Sequence, residues 1–584
     1  MIIFIVILYL FSSKTVYSVG EFTTNQNTKY EIQIDGSAQV RDTVVIKNNY
    51  SEIYPKKYSV NIIGSKISNI SSSNNTNSVI EKVLSTESNT KIDLTFLNPS
   101  LGKDSENRIE LNYEIDEAAI KKGNTWEISL PKNGSIHHSI EVIVPSSFGK
   151  VSFSSVKNLN INYFPNNTII SVPSNNTDNI FLIFGDYQLF DFNLKYFVEN
   201  SNDYPVSTEI PLPPETNSQN IFINDLNPKP ENIEIDPDGN WLAQYNLKAN
   251  EKIVVNATGQ IKTFSPRKLI KENILPDHTS EDIYWPTQNL QIVEISKNLQ
   301  TPREIYDYVV NTLSYDFDNY EKSSRKGADK ALDYPNLSVC TEFTDLFVTL
   351  SRASKIPSRE VEGYAYTNNP NIKPINSNTD ILHAWPQYYD SKQENWVSID
   401  PTWGKTTNGI DYFNDLDLNH IVFVIHGTNS QYPPPPGSYK KDSGTKTVFV
   451  EYATNEIIHP QIVTPTVESQ IKGINSEEIL IRNLNHEALV NLSIDSKQLG
   501  IKEEQLIIPP FSYIKIKTEK LNMIKSLLNG KREIEVAMKY NDISEPIIIK
   551  IPNKSYYIIT ILLSGLAIIV LCIGGIIITK KKNA

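Results

Sequence analysis

A cysteine, a histidine and an aspartate carry the chemistry this sequence offers: Cys340 in "NLSVCTEFTDLF", His383 in "HAWPQYY" and Asp400 in "NWVSIDPTW". The chain has 2 cysteines, and the other, Cys572, lies in an apolar C-terminal run. A thiol becomes a useful nucleophile when a base removes its proton, and the base needs a group that orients it. Cys, His and Asp supply those three parts. Each also has an ordinary structural explanation: a small buried hydrophobe, a satisfied core ring, a turn residue before proline. Their order along the chain and their setting favour the joint reading.

The elements that must position them follow from the flanking residues. Phe343, Phe347 and Leu350 recur at helical spacing, so Cys340 starts a helix that packs one side into a core. Unsatisfied N–H groups at a helix start favour thiolate over thiol, and Ser338 is placed to cap that start. "HAWPQYY" and "ENWVSID" read as antiparallel strands. With a loop at Asp390–Gln393, Tyr389 faces Glu394 and His383 faces Asp400. Opposed side chains lie about 4.5–5.5 Å apart at Cβ, from which a carboxylate can take the imidazole N–H. Trp385 and Ser398 form the next pair on that face, and Val397 and Ile399 point into a core. Upstream, Thr301, Pro302 and Glu304 make a capping box with proline at the first helical position, and Ile305, Val309 and Leu313 share a face.

Three blocks in fixed order, "VCTEFTDLFVTLSRASKIPSREVEGYAY", "HAWPQYY" and "NWVSIDPTW", make residues 290 to 420 resemble the transglutaminase-like superfamily. The resemblance implies a papain-like α+β core with Cys340 as nucleophile, His383 as base and Asp400 as orienting group. It implies attack on an amide carbonyl, a thioester, and release by water or an amine. Three residues depart from the pattern. Thr341 follows the cysteine where animal transglutaminases usually carry Trp, and Gln387 stands where many relatives have Glu. Pro386 removes a ladder N–H and predicts an edge strand or a bulge.

With 584 residues the chain is too long for one core. A net charge of -12 argues against phosphate-backbone binding, so no nucleic acid is expected. His137 and His138 are adjacent, and paired His or Cys at zinc spacing is absent from the sequence, so neither metal nor cofactor is expected.

The expected architecture is multi-domain: the α+β papain/transglutaminase-like core, flanking all-β sandwiches and one C-terminal transmembrane helix. Residues 1–18 read as a signal peptide, 19–189 as an N-terminal β-sandwich and 190–265 as a second one. The catalytic unit occupies 266–430, and a Pro-rich linker and strand 431–458. Residues 459–553 form a β-sandwich stalk, 556–579 a membrane span and 580–584 a cytoplasmic tail. "DPDGNW" marks a hairpin turn at Asp238-Gly239. Tyr556 to Thr579 carries no charge, and Lys580, Lys581 and Lys582 follow it, which places the bulk of the chain outside the cell.

The expected activity is that of a cysteine-dependent amidase or peptidase, or a protein-glutamine acyltransferase, acting on protein or peptide substrates at the cell surface. Its competitor is an adhesion or scaffold protein with an inactive core of the same fold.

Overall fold

The computed structural model describes residues 20–63, 65–72, 78–86, 89–131, 138–173, 180–265, 274–318, 324–366, 380, 382–407, 410–413, 416–442, 444–453, 455–457, 463–473, 476–517, 533–541 and 545–582. The expected signal peptide, 1–18, lies outside them. The chain divides into two compact units, one of residues 1–121 and 126–184, the other of 122–125 and 185–584.

The first unit is built from strands. Ala38–Asn48 alternates strictly between buried and outward-facing residues, which leaves one face for a core. It pairs antiparallel with Phe22–Ile32, which in turn runs parallel to His138–Pro145. Tyr30, Val44, Leu111, Val142 and Leu182 meet in the buried core of this unit.

The second unit begins with another strand-rich region. Tyr187–Glu199 pairs with Lys252–Phe264 on one side and with Val448–Tyr452 on the other, so a strand from the expected linker-and-strand segment completes the sheet. Asp238-Gly239 is the hairpin turn its sequence predicts: Gly239 adopts φ +97° between Asn232–Ile235 and Trp241–Leu247. Residues 466–552 return to strands in two sheets.

Between these regions lies the α+β unit. Thr301 and Glu304 close the expected capping box at the start of helix Pro302–Thr312, and Ile305, Val309 and Leu313 are buried. Helix Cys340–Ala353 was expected to bury one side only, yet Glu342 through Arg352 are all buried. The helix is central: helices pack on one side of it and a four-stranded antiparallel sheet on the other. Its buried charges tolerate this because they are paired or hydrogen-bonded. Arg325 grips both Asp345 and Glu360, and Arg352 donates to the carbonyls of Ser358, Gly427, Asp277 and Ser280.

The sheet runs Asn395–Ser398, His383–Asp390, Ser358–Ala365, His420–His426. Its outer strand His420–His426 is an edge whose ladder groups are met by side-chain amides from the preceding region. Gln219 exchanges two hydrogen bonds of 2.9 Å with the backbone of Val422, and Asn240 does the same for Ile425 at 2.8 and 2.7 Å. That clamp fixes the strand on which His420 sits.

The chain ends in the helix Lys554–Lys582, which contains the expected span Tyr556–Thr579. Several of its side chains lie outside the described residues, among which no helix is long and apolar enough to cross a membrane.

Candidate active site

Cys340 is the first residue of its helix. Ser338 does not cap this helix: its hydroxyl is buried and makes no hydrogen bond among the described residues. Glu342 takes the capping role from inside, accepting the Val339 N–H at 2.9 Å and the Lys326 N–H at 2.9 Å. The Cys340 sulfur accepts the backbone N–H of Ala384, the residue after His383. That contact brings the cysteine helix and the histidine strand together.

The thiol is not disposed to ionise at rest. Burial pushes it up to about 12, and the carboxylates of Glu342, Glu362 and Asp400 add to this against the Ala384 N–H. The thiolate preference expected of a helix start is therefore reversed. Three negative groups and loss of water outweigh the partial charges of the helix end.

His383 and Asp400 meet as expected, but by another route. The ladder pairs Gln387 with Ser398, Tyr388 with Val397, Tyr389 with Trp396 and Asp390 with Asn395. The loop is thus Ser391–Glu394, and the expected pairing of Tyr389 with Glu394 is displaced by two residues. The cause is local: Asp390 ends the strand and its carboxylate accepts the Lys392 N–H at 2.8 Å, while Glu394 turns the chain at φ +51°. A shift of two keeps every side chain on its face, so Val397 and Ile399 still enter the helix-packed core.

Asp400 has left the strand altogether. It is the N-cap of helix Pro401–Thr406, with Oδ1 accepting the Trp403 N–H at 2.9 Å. Its other oxygen, Oδ2, lies 2.8 Å from His383 Nε2. His383 itself pairs with Gly363 across the sheet, and its ring lies between those of Trp385 and Trp403.

Pro386 stands in an interior strand, not at an edge. Its carbonyl accepts the Ile399 N–H at 3.1 Å, so its missing N–H faces residue 399, just beyond the end of Asn395–Ser398. The ladder had already stopped there. Gln387 accepts from Arg359 at 2.7 Å and donates to Ser398 at 2.8 Å, a bridge beneath the site.

Two residues of this network lie outside the sequence-based triad. His420 Nε2 lies 3.2 Å from the same Asp400 Oδ2, and its Nδ1 lies 2.9 Å from Asp417 Oδ1. One ring nitrogen each of His383 and His420 and a carboxylate oxygen of Asp400 fall within 4.8 Å of one another. Burial alone would strip the His420 ring of its proton, but Asp417 and Asp400 prevail and raise it to about 9. The two imidazoles in turn hold the Asp400 carboxyl well below the usual carboxylate range despite its burial. The sequence signal was slight: an apolar run, "HIVFVIH", bracketed by histidines.

The family model described as the transglutaminase-like superfamily matches residues 289–401. This stretch is a transglutaminase-like domain. Protein YebA of Bacillus subtilis (strain 168) is 26% identical over 231 residues, 36% of this chain and 30% of that protein. The chain thus matches less than a third of YebA's length. A candidate cysteine protease from Cytophaga hutchinsonii is 15% identical, covering 46% of this chain and 87% of its own at a TM-score of 0.30. The periplasmic domain of TgpA from Pseudomonas aeruginosa is 13% identical, covering 37% and 88% at 0.22. The transglutaminase-like match includes Cys340, His383 and Asp400 and ends before Asp417 and His420.

Proposed function

We propose that this chain is a membrane-anchored thiol enzyme that acts on amide bonds of proteins or peptides outside the cytoplasm. The observation that carries this reading is the pairing of His383 Nε2 with Asp400 Oδ2 at 2.8 Å, on the strand whose Ala384 N–H touches the Cys340 sulfur. With Nε2 engaged by the carboxylate, proton exchange with the thiol falls to Nδ1. The thiol rests protonated, so His383 acts as a general base: it takes the proton as sulfur attacks the amide carbonyl. Asp400 stabilises the imidazolium that forms. Backbone N–H groups at the helix start, that of Cys340 among them, receive the oxyanion. The imidazolium then gives its proton to the departing amine or ammonia, leaving a thioester, which water or an amine resolves.

Anchoring rests on the terminal helix. Ile561, Leu562, Leu566, Ile568, Val570 and Leu571 are all more than half exposed, an apolar surface that no described part of the chain covers. Three lysines at its end fit a cytoplasmic tail, with the transglutaminase-like domain on the outer side.

The test is incubation of the full chain in detergent with casein and a primary-amine probe, scoring ammonia, cleavage and probe incorporation together. Wild type should give at least one product and Cys340→Ala none. Equal signals from both would leave the scaffold reading in its place. Alkaline carbonate extraction of membranes should release the chain only when residues 556–584 are removed.

A further inference from the structure

Asp400 is shared. Its Oδ1 is occupied by the Trp403 N–H, and its Oδ2 receives two imidazoles from different strands, His383 at 2.8 Å and His420 at 3.2 Å. The second imidazole is itself fixed at both nitrogens, because Asp417 holds Nδ1 at 2.9 Å. Its side chain is 2% exposed, so water does not compete for it. Around the ring stand Asp417 on its own loop, Asp400 at the helix cap, His383 two strands away in the same sheet and Tyr412 at 6.4 Å between ring centroids; Trp385 and Trp403 fill the remaining sides without charge. Two carboxylates thus surround one imidazole that bonds to both, and the ring meets them best as a cation with two N–H donors.

We propose that His420 is a positioning residue of the proposed triad: bridging Asp417 and Asp400, it aims the shared carboxylate at His383, and its positive charge disfavours a second proton on the His383 ring. The inference rests on the reading of Cys340, His383 and Asp400 as the reacting groups and extends it by two residues. The two rings lie 5.8 Å apart between centroids. Like charges at that spacing repel, and more strongly in a protein interior than in water. His420 therefore keeps His383 available as a base at lower pH than the Asp400 carboxylate alone would allow. Asp417, which touches neither thiol nor base, becomes part of what sets the working pH.

The experiment is pH-dependent alkylation of the full chain in detergent by iodoacetamide, with the Cys340 peptide quantified by mass spectrometry so that Cys572 does not interfere. His420→Gln places an uncharged N–H near the position of Nε2, and Asp417→Asn removes the carboxylate that favours the cation. The midpoint of the acidic limb should move up by about one pH unit in H420Q. A smaller shift in the same direction is expected in D417N. A purely structural role would lower the folded fraction and leave the midpoint in place. An unmoved midpoint in folded H420Q, with His383→Ala still changing the profile, overturns the inference and leaves the triad standing. A wild-type Cys340 that alkylates like free cysteine and ignores His383→Ala overturns the triad reading, and this inference with it. Should H420Q not fold, the D417N midpoint decides.

Discussion

His383 and Asp400 meet at 2.8 Å although they never face each other across a strand pair. One is the first residue of its strand and the other caps a helix that starts beyond the end of the next strand. The contact therefore depends on two separate elements holding still, the sheet and the Pro401–Thr406 helix. Their disturbance can be measured separately.

Asp400 serves both as cap and as carboxylate, and two substitutions separate these roles. Asp400→Asn keeps an oxygen for the Trp403 N–H but loses the charge facing two imidazoles. It should lower kcat/KM for amide turnover by about 10²–10⁴-fold with a modest change in melting temperature. Asp400→Ala also loses the cap, at a further cost of about 1 kcal/mol by chemical denaturation. Full activity in D400N would remove Asp400 from the mechanism.

Stability should depend on pH through the buried histidines. His420 resists deprotonation up to about 9 because Asp417 and Asp400 outweigh its burial, and His426 does the same beside Glu360. A proton held more tightly in the folded chain stabilises it fully below the unfolded value of about 6.5, and that contribution fades as pH rises through about 9. The interval is worth on the order of 3 kcal/mol per histidine as an upper bound. The melting temperature should fall between pH 7 and 10, and the fall should be shallower in His420→Gln. A flat wild-type profile over that range would contradict the charge assignment.

Glu342 both caps the cysteine helix and repels a thiolate. Glu342→Gln keeps an acceptor while removing the charge, so Cys340 alkylation at pH 8 should speed up several-fold. Glu342→Ala should destabilise the chain by about 1–2 kcal/mol through the loss of its bonds to Val339 and Lys326. Slower alkylation in a folded E342Q chain would show that the carboxylate does not act on the sulfur.

Gly363 lies opposite His383 at a bulge, and a Cβ there would stand 1.9 Å from the Ile421 carbonyl oxygen. Backbone cannot yield as a flexible side chain does. Gly363→Ala should force apart the strands that carry His383 and His420, with at least a tenfold loss of kcat/KM and a lower denaturation midpoint. A crystal structure of the variant with both histidines unmoved, together with full activity, would exclude that role for the glycine.

The order Cys340, His383, Asp400, the capping box at Thr301 and the turn at Asp238-Gly239 were all legible in the chain, because each rests on local rules: helical spacing, cap chemistry and turn residues. The faces of the histidine hairpin were legible too, since a register error of two residues preserves them. What local rules could not reach was decided by packing across the fold. The central burial of the cysteine helix depends on Arg325 and Arg352 finding distant carboxylates and carbonyls. The thiol's resistance to ionisation comes first from burial, to which Glu362 and Asp400 add from other elements. His420 entered the site because Gln219 and Asn240, about two hundred residues earlier, hold its strand at the sheet edge. Electrostatics sums over whatever the fold brings near, and the sequence orders its charges along a line, where those neighbours are far apart.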